Sequence, residues 1–206
     1  MMNKTRGRGR PAGRTETRSD ILAVARRRFL AVGYDGVTMR GVAEEAGVDS
    51  ALISYHFGSK RGLFGAAMAL AANPAEILVR ELDGPLESLP DRLVRAVLSA
   101  WDGPDSSGSL RTFLEAALRE AEVARAFREM MEREMIPRIA DRLGGADARH
   151  RASLAMSQIA GLVIARYIIG VEPLASMPVD EVVRRVSPAL RTALAGRPRR
   201  AHNDRW

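Results

Sequence analysis

The chain has 206 residues, 46% hydrophobic and 28% charged, with three histidines and no cysteine. That length and balance describe a folded chain of one or two domains rather than a disordered one. The missing cysteine excludes a disulfide framework and a thiolate zinc site. A net charge of +7 points to a polyanionic partner, although Lys4, Arg6, Arg8, Arg10, Arg14 and Arg18 hold much of the excess, where a solvated tail explains it equally well.

Residues 1–16 read as a disordered basic arm, polar and rich in arginine and glycine. Within it Gly7-Arg8-Gly9-Arg10-Pro11 resembles the core of an AT-hook, whose arginines lie along a narrow minor groove; a nonspecific basic tail is the other reading. No apolar run follows this basic start, so no secretory signal is expected. A helix is expected from Thr17 or Ser19, with Leu22, Ala25, Phe29 and Val32 as its buried stripe and Arg26, Arg27 and Arg28 outward. Gly33 ends it, and Tyr34-Asp35-Gly36 turns the chain.

Val37 to Lys60 then reads as two short helices and the start of a third. Thr38 can cap the first, Gly47 can take the left-handed conformation that ends it, Asp49 or Ser50 can cap the second, and Ser59 the next. Leu52 and Ile53 are buried candidates, leaving Ser50, Ala51, Ser54, Tyr55 and His56 outward. Short helices around a glycine-bearing turn are what a helix-turn-helix requires, though an ordinary helix pair has the same outline. Lys60 to about Ala72 is expected to be helical, with Leu63, Phe64, Ala67 and Leu70 inward and Asn73-Pro74 breaking or kinking it.

From residue 75 the pattern stays helical. Leu93, Val94, Val97, Leu98 and Trp101 share one face. Ser109 is the expected cap of a helix using Leu110, Phe113, Leu114, Ala117 and Leu118. A long helix follows, with Val123, Phe127, Met130, Met131, Met135, Ile139 and Leu143 on its apolar side, a kink at Pro137 and an end at Gly144-Gly145. A helix from about Ala146 to Val171 is apolar on several sides, which suits burial between partners. The longest uncharged run inside it, Ala152 to Ala165, is short of the roughly 20 residues a bilayer span needs, so a soluble, cytoplasmic protein without a membrane partner is expected. Pro178 suits the start of the last helix, with Asp180 and Glu181 in its first turn. A basic tail, 197–206, closes the chain.

Phe29, Gly33, Tyr34, Val37, Thr38, Val42-Ala43, Ala46-Gly47-Val48, Ile53-Ser54-Tyr55-His56-Phe57, Ser59-Lys60 and Leu63, at these spacings, resemble the DNA-binding domain of the TetR family. The spaced set Arg151, Leu154, Ser157-Gln158, Gly161-Leu162, Ala165-Arg166-Tyr167, Gly170 and Pro173-Leu174 resembles one subgroup of its C-terminal domains. The resemblance implies an all-α fold: a three-helix helix-turn-helix DNA-binding domain over 17–73 and a helical ligand-binding and dimerisation domain over 74–196. It implies a regulator that binds a double-stranded operator as a homodimer through about 147–171 and 178–195, released by a small-molecule effector. An intramolecular core would also account for the last two helices. Carried over by position, Thr38 and Arg40 resemble residues that meet phosphate or bases. Ser50, Ala51, Leu52, Ser54 and His56 lie on or near the groove-facing part of the second motif helix, and Tyr55 and Lys60 resemble residues that reach the backbone.

Trp101, Phe113, Phe127, Met130 and Met131 can line an adaptable apolar pocket, or belong to plain core. Arg119 and Arg166 can fix an anionic group, or pair with a nearby glutamate. No phosphate loop, metal-ligand cluster or nucleophile–base set is present, so no catalytic residue, cofactor or metal is expected. The competing class is a helical ligand-binding or protein-interaction module without sequence-specific DNA activity.

Overall fold

The computed structural model describes residues 13–104 and 106–195, so the Gly7–Pro11 motif and the 197–206 tail lie outside the described residues. The described chain folds as α1 (Gly13–Val32), α2 (Met39–Ala46), α3 (Ser50–Phe57), α4 (Lys60–Ala67), α5 (Pro74–Leu82), α6 (Leu89–Asp102), α7 (Ser107–Arg119), α8 (Ala121–Met130), α9 (Ile136–Leu143), α10 (Ala148–Val163) and α11 (Val179–Leu194). A π-helical turn, Met131–Met135, joins α8 to α9, and a second, Ile164–Ile169, prolongs α10. No strand occurs among the described residues. The fold is all-α, with a helix-turn-helix in the N-terminal helices and a helical bundle behind it.

Helix α1 starts four residues before Thr17, and its buried stripe is Ile21, Val24, Ala25 and Phe29. Leu22 is only half-buried and Val32 is 52% exposed, contrary to the expected stripe. The sequence carries two overlapping apolar rows, and contact with α2, α4 and α8 selects the one containing Ile21. Phe29, Tyr34 and Phe64 form the centre of the N-terminal core: Tyr34 stacks on Phe29 at 5.7 Å, and Phe64 meets both edge-on at 5.0 and 5.4 Å. Such edge-to-face pairs add to plain burial because each positive ring edge faces a negative ring face. Phe64 continues to Phe113 and Phe113 to Phe127, at 6.2 and 5.3 Å, so one aromatic file runs from the N-terminal helices into the bundle.

Three later boundaries also differ from the sequence expectation. Helix α4 stops at Ala67, and Ala69 takes a φ of 57°. Asn73-Pro74 does not break a helix; it begins one, with Asn73 accepting from Ala75 N and Pro74 in the first turn, where its missing N–H costs nothing. Helix α7 opens after Ser106, while the Ser109 hydroxyl, the expected cap, accepts from Ala71 N at 3.1 Å and so ties α7 to the end of the N-terminal unit. Ahead of Pro137 the helix widens into its π turn, which absorbs the hydrogen bond proline cannot make.

Together with its π turn, α10 forms a 22-residue helix, Ala148–Ile169, whose most apolar 18-residue stretch has a mean hydropathy of 1.5. By length and composition alone it could cross a bilayer, which the shorter run did not suggest. Ala152, Ala155, Ile159, Leu162 and Val163 are buried, and the helix packs on α6, α9 and α11. Its other face leaves Leu154 and Ile169 at 58% and 68% exposure, with Ala160 and Gly161 beside them.

Candidate nucleic-acid interface and ligand cavity

Local capping sets the geometry of α2 and α3. Thr38 Oγ1 accepts from Gly41 N at 3.0 Å, and Asp49 Oδ1 accepts from Ala51 N at 2.7 Å. Ser59 Oγ accepts from Gly62 N at 3.1 Å to start α4. Each side chain satisfies an amide that the first helical turn leaves unpaired. Gly47, at φ 67°, turns the chain between the two helices and returns its N–H to the end of α2. A side chain there would be strained in the left-handed region, so glycine makes the tight turn possible. Arg27 and Arg28 of α1 both pair with Glu45, and Arg28 also donates to Gly41 O at 3.2 Å, which clamps α2 onto α1. Hydrogen bonding from Arg27, then Arg28, holds the Glu45 carboxyl below the usual carboxylate range.

With Ile53 and Phe57 buried, α3 turns Ser50, Ala51, Ser54 and Tyr55 outward. Tyr55 is 73% exposed. Arg40 on α2 is exposed and has no partner among the described residues. Thr38 is also exposed, and its hydroxyl keeps a proton to donate while it caps. His56 is half-buried between the Tyr55 and Phe57 rings, and Leu52 is half-buried against the core. Lys60 departs from a freely projecting contact. Its ammonium lies 4.5 Å from the Tyr34 ring centroid and donates to Asp35 O at 3.4 Å. Burial lowers its pKa against the opposing pull of Asp35 and Glu134.

A polar latch joins these helices to the bundle. Tyr34 Oη donates to Glu134 Oε1 at 3.0 Å, Asp35 N donates to Glu129 Oε2 at 3.1 Å, and Arg133 Nε donates to Asp35 Oδ2 at 2.8 Å. Arg125 donates to the carbonyls of Leu30 and Ala31 at 2.8 and 3.0 Å, closing the end of α1. Glu134 also meets Arg138 and Arg61, at 3.1 and 3.6 Å. Sequence reasoning missed this cluster, because its partners are 94–100 residues apart and charged side chains on a helix usually face water.

Behind the latch lies a cavity of about 140 Å³ among α5, α6, α7, α8 and α10. Trp101, Phe113, Phe127 and Met131 line it, as do Met135 and Met156. Two of the expected pocket residues do not. Met130 is fully buried in the core, because the π turn starts one residue later and brings Met131 and Met135 to the cavity instead. Arg166 is nine-tenths buried but turned away, donating to Leu174 O and to Met177 O, where it fixes the α10–α11 connection. Arg119 is exposed on the surface. Trp101 stacks on Tyr167 at 5.2 Å, and the Tyr167 hydroxyl donates to Asp102 Oδ1 at 2.9 Å. Among the described residues no group of three or more histidines and carboxylates could hold a metal ion.

Comparison with known proteins matches both parts of this architecture. The model of the bacterial regulatory proteins of the tetR family matches residues 21–67, and that of the tetracyclin repressor-like C-terminal domain matches residues 87–194. Over 84 residues the chain is 42% identical to the HTH-type transcriptional repressor AcnR of Corynebacterium glutamicum, a match covering 38% of this chain and 44% of that protein. The AcnR of Corynebacterium diphtheriae is 36% identical over 85 residues, covering 41% of this chain and 44% of that protein. The matches thus span less than half the length of these curated relatives. A TetR-family regulator of known structure from Streptomyces coelicolor is 32% identical, covering 91% of this chain and 99% of that one, with a TM-score of 0.46. With both its N-terminal helices and more than half its length matched, the chain belongs to the TetR family of transcriptional regulators.

Proposed function

We propose that this regulator is a homodimeric repressor that grips a palindromic operator and lets go when a small molecule fills the cavity. The observation that carries the reading is the outer face of α3, where Ser50, Ala51, Ser54 and Tyr55 stand exposed on a helix whose other side is buried. The relatives named AcnR are repressors, which agrees with this reading. Residues 17–73 form the DNA-binding unit and 74–196 the effector and dimer unit, paired through about 147–171 and 178–195. The exposed apolar side of α10 supports that pairing, because burying it on a second copy removes it from water. Two copies of α3 then enter successive major grooves roughly 34–36 Å apart.

Arg40, the Tyr55 hydroxyl and Thr38 supply phosphate contacts, which give affinity and salt dependence. Ser50 and Ser54 reach base edges as donors or acceptors, Ala51 offers an apolar contact, and His56 sits at the edge of that surface. Lys60 acts chiefly by holding the Tyr34–Asp35 turn. Release follows from the shared wall: α8 and its π turn face the cavity with Phe127, Met131 and Met135 and face the DNA-binding unit with Arg125, Glu129, Arg133 and Glu134. A ligand that prefers one arrangement of this wall shifts the population of latch geometries, and with it the spacing of the two α3 helices.

The test is selection of operator sequences from a random DNA pool by the purified protein, with affinity then measured across salt concentrations. Enrichment of a palindrome bound two chains at a time, and lost on changing Ser50 and Ser54, is the expected result. A steep salt dependence without enrichment would instead leave a helical binding module with a basic surface.

A further inference from the structure

The cavity wall has an unusual chemical make-up. All eighteen residues around it are apolar, and the indole N–H of Trp101 is the one side-chain hydrogen-bond donor among them. No charged side chain lines it. Arg166 does not line the cavity, and its Nη1 donates to the Leu174 and Met177 carbonyls, while Arg119 is exposed. An ion placed here would lose its water and gain no counter-charge from the wall, a cost that binding would have to overcome. The volume, about 140 Å³, also limits the guest. An apolar protein cavity of about 150 Å³ stays dry and takes one benzene ring. Phe113 and Phe127 bring aromatic rings to the wall, and Met131, Met135 and Met156 bring polarisable sulfur, both suited to an aromatic guest.

We infer that the cavity takes an uncharged single-ring arene, or its mono-oxygenated analogue with the oxygen accepting from Trp101, and discriminates against carboxylate and ammonium forms of the same ring. The inference rests on the proposal that this cavity is the effector site, and it names the chemistry of the effector.

Toluene, benzoate and benzylammonium share a ring and differ in charge, so they separate the classes. Each is titrated into the full-length protein by calorimetry, with the thermal midpoint followed in parallel. Toluene is expected to bind saturably at one per chain and to raise the midpoint, at least about tenfold more tightly than either ion. Ala100→Leu narrows the cavity and is expected to weaken toluene binding at least about tenfold. Circular dichroism checks that the variant folds; Val97→Ile, a one-methylene change, serves if it does not, with a smaller loss of about threefold. Either ion binding as tightly as toluene, no toluene binding, or toluene binding unmoved by these substitutions would overturn the inference. The operator assay separates it from the regulatory reading. Toluene that binds without changing operator affinity leaves the ligand class standing and removes the effector role. Benzoate that releases the operator does the reverse.

Discussion

The phenol of Tyr34 donates to Glu134 across 3.0 Å of space and one hundred residues of sequence. Tyr34 belongs to the turn after α1, and Glu134 to the π turn that walls the cavity, so this bond spans both halves of the protein. Tyr34→Phe keeps the ring stack on Phe29 but leaves Glu134 without its donor. Because Arg61 and Arg138 still neutralise that carboxylate, the loss is expected to be about 1–2 kcal/mol of unfolding stability. Urea titration of both proteins measures it, and effector response should weaken alongside.

Gly33 tests the same latch from its other side. Its φ is 77°, and an added Cβ would come within 2.3 Å of the Glu129 carboxylate. Gly33→Ala therefore strains the backbone and displaces Glu129 from Asp35 N. A loss of about 1–2 kcal/mol is expected in chemical denaturation.

Alkaline pH should destabilise the fold. Burial, reinforced by Glu134, raises the Tyr34 pKa above its ordinary value of 10.0, and burial pushes Tyr167 up to about 12. The folded state holds both protons more tightly than the unfolded chain does. The stabilisation is therefore complete below pH 10.0 and is lost as pH rises through the folded values, for Tyr167 between 10.0 and about 12. Thermal midpoints should fall across that range, and Tyr167→Phe should flatten the fall.

At the DNA surface, Arg40→Ala should lower operator affinity and reduce the slope of log affinity against log salt by about 1. Lys60→Ala should change that slope less, because its ammonium is already engaged by Asp35 O and the Tyr34 ring. Binding measured at three or more salt concentrations distinguishes the two. Equal slopes for Arg40→Ala and the unaltered protein would remove Arg40 from the phosphate contacts.

Leu154 is more than half exposed on the apolar side of α10. Leu154→Glu should weaken the proposed dimer by about 2 kcal/mol or more, since a carboxylate would be buried without a partner. Sedimentation should then show monomer at concentrations where the unaltered chain pairs, with helix content unchanged.

The motif around α2 and α3 was legible because its instructions are local. Thr38, Gly47 and Ser59 act within one turn of their own positions, and Asp49 or Ser50 as the cap was left for the fold to resolve in favour of Asp49. The stripe of α1 was harder. Leu22 and Val32 sit at helical spacing as good as that of Ile21 and Val24, and only contact with α2, α4 and α8 decides between the rows. The cavity shows the same limit. Trp101, Phe113, Phe127 and Met131 stand out as large apolar residues on helix faces, but a π turn that begins at Met131 moves Met130 away from the space beside it. Nothing in the sequence joins Tyr34 to Glu134 or Asp35 to Arg133, since each side chain alone reads as an ordinary polar surface residue.

Lys60 is the one lysine among the described residues, and Lys4 is the only other in the sequence. Its ammonium rests on Tyr34 with a lowered pKa, so a larger share of it is the free amine at mildly alkaline pH than for an ordinary lysine. Amine-directed reagents such as succinimidyl esters therefore have one address within the folded domains, at the seam between the DNA-binding helices and the latch. A dye attached there reports on that seam once label on Lys4 and the α-amine is set aside, and a lysine-specific protease has one bond to cut in the described chain, Lys60–Arg61. The protein's near-total reliance on arginine for positive charge thus leaves a built-in labelling position where movement between its two halves would be read.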